Sequence, residues 1–476
     1  MLNSFSNMRW DMKDSLTQKS VSQGADFKGR FGWMMFDWAA QPYFTLILTF
    51  IFAPYFTNHF MSDGVQGQAA WSFTQTAAGL ILAFMAPILG SIADRTGPRK
   101  PWIMVFSAVY IGGVSLLWFA VPGAENMTTL VVIGIICAAV GIEFAGVFNN
   151  AMLPSVALPG KMGKLSGFGW ALGYVGGLIT LVIVLGLLSA SKETGLTMLG
   201  LEPIIDFDPH LYEADRFVGP LAAMWFVIFV IPMFLFTPDE VPTEIKKAKV
   251  IDSAIAGLKD TGALLKGLLN RPNILKFFIA RMVYYDGLSA LFAFGGIYAS
   301  FVFDWTITTL GIFGIILSVA AALGAYVGGW CDDWFGPKKT IIVALVGLII
   351  SALGILSVNG TTALWLIELP QNTGETGLFA TLGEKIILIF GIGIGLFAGP
   401  AQAASRTMLV KIIPEGETTK YFGLFALSGK ATAFLAPLLI GILTLVFDDQ
   451  RMSLVTIIGF LLVGIVVFMN VKEERE

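Results

Sequence analysis

Charge is what this sequence has least of. Only 13% of its 476 residues are Asp, Glu, Lys or Arg, against about 25% in a soluble domain. With 56% hydrophobic residues and a mean hydropathy of +0.77, most of the surface must face lipid and not water. The net charge of -3 says little about partners, because a few loops hold nearly all of it. Nucleic-acid binding would need a clustered basic face, and none is visible. Cysteine is scarce too. Cys137 and Cys331 sit far apart in apolar runs and read as two buried thiols, not a disulfide or a metal pair. The two histidines, His59 and His210, are read as isolated in loops, so no metal and no cofactor is expected. No Walker motif appears, which excludes ATP as the direct energy source. GIGIGLFAG, Gly391 to Gly399, lies inside an apolar run with no strand before it, so it reads as small-residue helix packing. The first 30 residues are polar and mixed in charge, without the apolar centre of a signal peptide, so the first apolar run is expected to remain as a span.

What is present is a repeat. GSIADRTGPRK, Gly90 to Lys100, lies over GWCDDWFGPKK, Gly329 to Lys339, at a shift of 239 positions. Gly90 falls on Gly329, Asp94 on Asp333, Gly97 on Gly336, Pro98 on Pro337, and Arg99 on Lys338. Each copy joins two long apolar runs, as a short charged turn between membrane helices would. Asp37 in MMFDW and Asp286 in MVYYDG each follow an aromatic early in the first helix of a half. FNNAMLP with GFGWALGYVGG also corresponds to AASRTML with FGLFALSGK. The halves therefore read as parallel repeats about an axis along the membrane normal.

A bilayer core about 30 Å thick needs roughly 20 apolar residues per helix. On that rule the spans are 31–56, 70–92, 101–121, 129–153, 167–189, 217–237, 273–301, 307–331, 340–358, 384–409, 420–447 and 452–471. This gives a tail 1–30, a six-helix half 31–237, a loop 238–272, a second half 273–471 and a tail 472–476. With both tails cytoplasmic, the inner segments hold 22 of the 30 basic residues and the outer loops four: Lys192, Arg216, Lys385 and Arg451. The loop 190–216 carries six acids instead. The positive-inside rule then puts both ends and the 238–272 loop in the cytoplasm. Within that loop Glu244 to Asn270 has apolar residues near helical spacing with lysines between, which fits either an amphipathic helix on the inner face or a plain linker.

The six-plus-six pattern, with the charged turn after spans 2 and 8, resembles the major facilitator superfamily. FDWAAQPYFTLILTFIFAPYF (36–56), ADRTGPRKPW (93–102), FNNAMLP (148–154), SGFGWALGYVGG (166–177), ARMVYYDGLSALFAFGGIYA (280–299), QAASRTML (402–409) and FGLFALSGKATAFLAP (422–437) narrow the likeness. They resemble the "unknown major facilitator" branch, the bacterial relatives of the fungal autophagy-linked vacuolar permease. The resemblance implies an all-α membrane protein of twelve transmembrane helices with the major facilitator 6+6 pseudo-two-fold architecture. It implies a secondary transporter, not an enzyme, in a bacterial inner membrane, taking an amino acid or short peptide; the chain is expected to be a monomer, and without a Walker motif its energy would come from a proton or sodium gradient, or from the substrate gradient alone. One departure is that Gly169-xxx-Gly173 is followed by Gly176 and Gly177 without the proline of superfamily antiporters, so the antiporter label lacks support and the glycines read as close helix packing.

An ionisable side chain at mid-helix costs about 2.5–3.5 kcal/mol on insertion scales, so it faces the bundle interior with a partner or a task. Asp37, Glu143 and Asp286 stand against Arg281, Arg406 and Lys430 on spans 1, 4, 7, 10 and 11. The two aspartates could bind a cationic substrate end, accept a proton or lock helices. Arg406 and Lys430 suit an anionic substrate group or the cytoplasmic gate. Glu143 is the preferred proton-coupled carboxylate, with a structural hydrogen bond as the alternative. Asn149, Asn150, Gln402 and Ser405 could ligate substrate or join helices. In the repeated turn, Gly90, Asp94, Arg95, Gly97 and Arg99, with Gly329, Asp333, Gly336 and Lys338, are assigned to gating and topology. There Asp94 and Asp333 could accept from helix N-terminal amides or pair with a nearby base. Two other classes remain open: a non-transporting sensor and a lipid-modifying protein, though no nucleophile–base pair is evident for the latter. Single cysteines placed in 190–216 should react with an impermeant maleimide on intact cells, and cysteines in 1–30 only after lysis. The opposite result overturns the orientation.

Overall fold

The computed structural model describes residues 24–61, 63–96, 98–158, 162–239, 266–359, 361–369, 377–414, 421, 424, 425, 428, 429 and 432–474. Its long helices in chain order are α1 Phe27–Phe60, α2 Gly64–Thr96, α3 Lys100–Phe119, α4 Thr128–Ala151, α5 Met162–Ile183 and α6 Glu213–Phe236. They continue as α7 Pro272–Phe303, α8 Ile307–Phe335, α9 Pro337–Leu356, α10 Leu382–Ile412, α11 Leu435–Phe447 and α12 Met452–Met469. Among the described residues, ten helices are long and apolar enough to cross a membrane. The one sheet among the described residues is a hairpin between α9 and α10, β1 Thr362–Ala363 against β2 Ile367–Glu368. The Glu244–Asn270 reading falls mostly on 240–265, outside the described residues, as do Gly97 and Lys430.

Local chemistry sets where these helices begin. Asp26 accepts from the Gly29 amide at 2.8 Å and caps α1. Thr306 caps α8. Thr381 and Glu384 form a reciprocal capping box at the start of α10. Pro337 opens α9 where a missing N–H costs nothing. Several helices outrun the apolar windows: α1 begins at Phe27 and ends at Phe60, α2 begins at Gly64, and α8 ends at Phe335. The reason is that hydropathy counts only residues suited to lipid, whereas the helical ladder continues through polar residues such as Gln66 and Gln68. α1 is also irregular. Pro42 and Pro54 lack an N–H to donate, and wide π turns span Tyr43–Phe50 and Phe56–Phe60.

The packing scheme is duplicated. α1 packs on α5 and α6, α3 on α4 and α6, and α2 on α4. In the second half α7 packs on α11 and α12, α9 on α10 and α12, and α8 on α10. Adding six to each label turns one scheme into the other. The halves meet where α2 touches α11 and α5 touches α8, a pair that the same operation exchanges, and where α1 touches α7. That is the fold of the major facilitators.

Two thiol and histidine readings need correction. Cys137 and Cys331 are free but only half-buried. His59 is not in a loop but in the last turn of α1, its ring stacked on Tyr212 at 4.5 Å.

Where α3 crosses α4 the two backbones nearly touch. A Cβ on Gly113 would strike the Ala138 amide, and one on Gly141 would stand 2.5 Å from the Tyr110 amide. The neighbouring Gly112 has nothing within 4 Å and faces outward. Gly113→Leu should therefore lower the Tm of the purified protein, by an overpacking cost of about 1–3 kcal/mol, while Gly112→Leu leaves it unchanged. Equal effects at both positions would contradict this packing.

Candidate functional site

α1 carries a polar stripe at four-residue spacing, Asp37, Gln41 and Thr45, which puts the three side chains on one face. α5 answers with glycines at the same spacing. A Cβ on Gly169 would sit 2.5 Å from Oδ2 of Asp37, one on Gly173 lies 3.4 Å from Oε1 of Gln41, and one on Gly177 would overlap the Thr45 hydroxyl. The glycines of span 5 thus do pack closely, and what they make room for is a carboxylate and two neutral polar groups. Gln41 and Thr45 went unnoticed in the sequence, although the matched spacing on spans 1 and 5 was there to be read.

Across the bundle, Arg406 on α10 acts electrostatically on Asp37 and on Tyr174 and Tyr285. Its guanidinium stands 6.0 Å from the Trp170 ring centroid, and Trp170 is 40% exposed. Trp170 and Tyr174 are ring neighbours at 6.0 Å, one turn apart on α5. Arg281 on α7 is buried. Its Nη1 donates to the Phe425 carbonyl at 2.8 Å and to Oγ of Ser428 at 2.6 Å, with the guanidinium 3.4 Å from the Phe425 ring centroid. Arg281 and Arg406 also act on each other, and Asp286, likewise buried, acts on Arg281. Arg406 thus acts on Asp37 across the halves and on Arg281 of α7, while Asp286 acts on Arg281 along the same helix. Trp170, Tyr174, Tyr285 and Ser428 join them; none was singled out from sequence as a site residue, because aromatics at helical spacing read equally well as core and a lone serine in a helix carries no signal.

The remaining polar candidates lie elsewhere. Glu143 is half-buried on α4 and acts on Tyr43 of α1, within the first half. Asn149 is fully buried. Its carbonyl accepts from Nε1 of Trp33 at 2.7 Å, and its side-chain amide finds no partner among the described residues. Asn150 is exposed. Gln402 donates weakly to the Ala398 carbonyl of its own helix at 3.4 Å. Ser405 is buried and shares a 2.8 Å hydrogen bond with the Tyr284 hydroxyl, so it joins α10 to α7.

In the repeated turn the described acceptors come from elsewhere in the chain, and the side chains of Asp94, Arg95 and Asp333 lie outside the described residues. The amides of Arg99 and Lys100, which open α3, donate to the two carboxylate oxygens of Asp239 at 2.9 and 3.0 Å, and Lys100 Nζ reaches the Phe234 carbonyl at 2.8 Å. In the second copy the Lys338 amide donates to Glu473 at 3.3 Å, and Lys338 Nζ reaches the Met469 carbonyl at 3.0 Å. An acid just past the last helix of each half therefore caps the third helix of that half. Glu473 also pairs with Lys411, at the end of α10, at 2.7 Å. Gly336, at φ +85°, lets the turn pass beneath Glu473, whose carboxylate a Cβ would meet at 2.7 Å. Gly90 and Gly329 lie inside α2 and α8, and the backbones of Asp94, Arg95 and Asp333 are helical.

At the opposite end, uncharged groups tie the halves together. Nδ2 of Asn58 donates to Oγ of Ser300 at 3.2 Å. Nε2 of Gln68, fully buried, donates to Oγ1 of Thr444 at 2.7 Å and to the Gln450 carbonyl at 3.2 Å.

Comparison with known proteins agrees with this architecture. Residues 157–476 match the family model described as "Vacuole effluxer Atg22 like". The "Uncharacterized MFS-type transporter YxiO" of Bacillus subtilis is 24% identical over 448 residues, covering 93% of this chain and 94% of that protein. Autophagy-related protein 22 of Vanderwaltozyma polyspora is 24% identical over 337 residues, covering 65% of this chain but only 57% of its own length. This chain thus spans little more than half of that fungal relative. Among solved structures, the nucleoside transporter NupG superposes with a TM-score of 0.62 at 14% identity, over 92% of this chain and 98% of that one.

Asp239→Ala should destabilise the start of α3 by about 1 kcal/mol and lower the Tm, and Glu473→Ala should do the same for α9. Asp239→Asn, which keeps an acceptor, should recover part of the loss. Thermal melts of the purified variants decide this, and unchanged melting of both alanine variants would remove the caps from the account.

Proposed function

The chain belongs to the vacuole effluxer Atg22-like family of major facilitator transporters, and from that membership we propose that it carries a small zwitterionic metabolite, an amino acid or short peptide, by alternating access. It is a multi-pass membrane transporter and not an enzyme. The observation that carries the substrate reading is the electrostatic action of Arg406 on α10 upon Asp37 on α1, opposite charges supplied by opposite halves. A solute with an ammonium and a carboxylate can take one charge from each half, so its binding draws the halves together. Arg281, held by Phe425 and Ser428, keeps a second cation beside this point, and Asp286 supplies a second acid. Trp170 and Tyr174 offer an apolar wall.

The halves 31–237 and 273–471 are the two rocking bodies in this reading, with the 238–272 loop and both tails cytoplasmic and the protein a monomer in a bacterial inner membrane. The basic-residue count supports that orientation. The trans-capped turns would steady the inner ends of α3 and α9 as the halves move. Glu143, on α4 and apart from the charged cluster, is the proposed proton carrier. This division of labour separates binding from coupling.

In liposomes the wild type should show saturable counterflow of a zwitterionic amino acid. Asp37→Asn should weaken it about tenfold or more, as for loss of a charge-assisted contact. Glu143→Gln should keep counterflow but lose uptake driven by an imposed pH gradient. Folded wild-type protein that moves none of a broad panel of zwitterions would end the substrate reading. Flux that ignores the pH gradient in the wild type would end only the proton coupling.

A further inference from the structure

Where α1 gives way to α2, the halves border an open cavity of about 310 Å³. Asn58, His59 and Asp63 line it from the first half, and Ser300, Asp304 and Gln450 from the second. The Asn58–Ser300 hydrogen bond crosses it, so its walls are complete only while the two halves are drawn together at this end.

Three features of the lining point to a ligand. Gln450 is fully buried, yet neither Oε1 nor Nε2 of its amide has a hydrogen-bond partner among the described residues. A buried amide left unpaired costs about 1–3 kcal/mol, and Gly64 keeps the space beside it clear, since a Cβ there would overlap Nε2. Asp304 ends α7 in the left-handed region (φ 54°), with its carboxylate exposed and in no hydrogen bond or ion pair among the described residues. Asp63 uses one oxygen to cap α2, accepting from the Gln66 amide at 2.9 Å. The cavity therefore presents two carboxylates, while Lys192, which acts on the lining His59, is engaged 3.8 Å above the Tyr212 ring, on which His59 stacks. Among the described residues no three of His, Cys, Asp and Glu come close enough to hold a metal ion, and the volume exceeds what a bare ion fills.

We propose that this cavity is a second binding site, taking the ammonium end of a small organic molecule. Asp63 and Asp304 supply the charge, and the Gln450 amide supplies both a donor and an acceptor. A molecule held there touches both halves, so occupancy favours the state in which this mouth is closed. With the orientation proposed above, the mouth faces outward beside the six acids of 190–216, whose field concentrates cations. The outward placement rests on that orientation, but the binding does not.

The test is equilibrium binding of radiolabelled methylammonium to the full-length protein in detergent, where orientation has no bearing. The wild type should bind it. Asp63→Asn and Asp304→Asn should each weaken binding roughly two- to fivefold, as for partly exposed charge contacts, and the double variant about tenfold. Asn tolerates the left-handed backbone at position 304, so a Tm equal to the wild type's should accompany the loss. Gln450→Leu should weaken binding as well. Displacement by glycine but not acetate identifies an amino-acid ammonium end as occupant, and displacement by ethylamine alone identifies an organic cation. No binding by the folded wild type, or binding lost with Asp37→Asn and kept in Asp304→Asn, overturns the proposal. The second result would leave the central site standing.

Discussion

A carboxylate buried in a helix bundle needs space as well as a countercharge, and Asp37 obtains the two from different halves. The space comes from α5, where Gly169, Gly173 and Gly177 omit the side chains that would displace Asp37, Gln41 and Thr45. The countercharge comes from Arg406 across the bundle. Alone, each half would carry an unbalanced ion at a depth where charge costs about 2.5–3.5 kcal/mol on insertion scales. Bringing the halves together relieves that cost, and so does a solute bearing both charges. The same electrostatic need can hold the bundle together and select what it carries.

The duplication extends from packing into hydrogen bonding. Asp239 and Glu473 stand at equivalent places, past the last helix of each half, and each caps the third helix of its own half. Because these caps act within a half, they stiffen the bodies without tying them to each other. The hydrogen bonds between halves at the end opposite the repeated turns are chemically unlike them: Asn58 to Ser300 and Gln68 to Thr444 are neutral pairs. Rigid units joined by weak contacts are what a rocking motion needs.

Much of this was legible before any coordinates. The shared turn gave the repeat, hydropathy gave helix positions, and the scarcity of mid-helix charge drew attention to Asp37, Arg281, Asp286 and Arg406, of which Arg406 acts on both Asp37 and Arg281. Helix ends were less legible, since caps such as Asp26 and Thr306 lie outside the apolar windows. The acceptors in the repeated turn were missed because they lie on the order of 140 residues away in sequence, as with Arg99 and Asp239. No local pattern marks a cap supplied from that distance. Gln68 and Gln450 were overlooked for a related reason: a neutral amide near a span end carries no alarm, and its burial exists only once two halves are assembled.

The neutral ties between the halves also set an energy scale. Net, each such hydrogen bond contributes about 0.5–1.5 kcal/mol, so Asn58–Ser300, Gln68–Thr444 and Gln68–Gln450 together tilt the balance by roughly 2–4 kcal/mol. That keeps one mouth shut most of the time while leaving the alternative populated at the level of a few per cent or less. Full reversal from 1:99 to 99:1 takes about 5.5 kcal/mol of differential affinity, within reach of one well-held solute. Since neutral contacts are little screened by ions, the resting ratio would be governed by temperature and cargo and would hardly respond to ionic strength at this mouth.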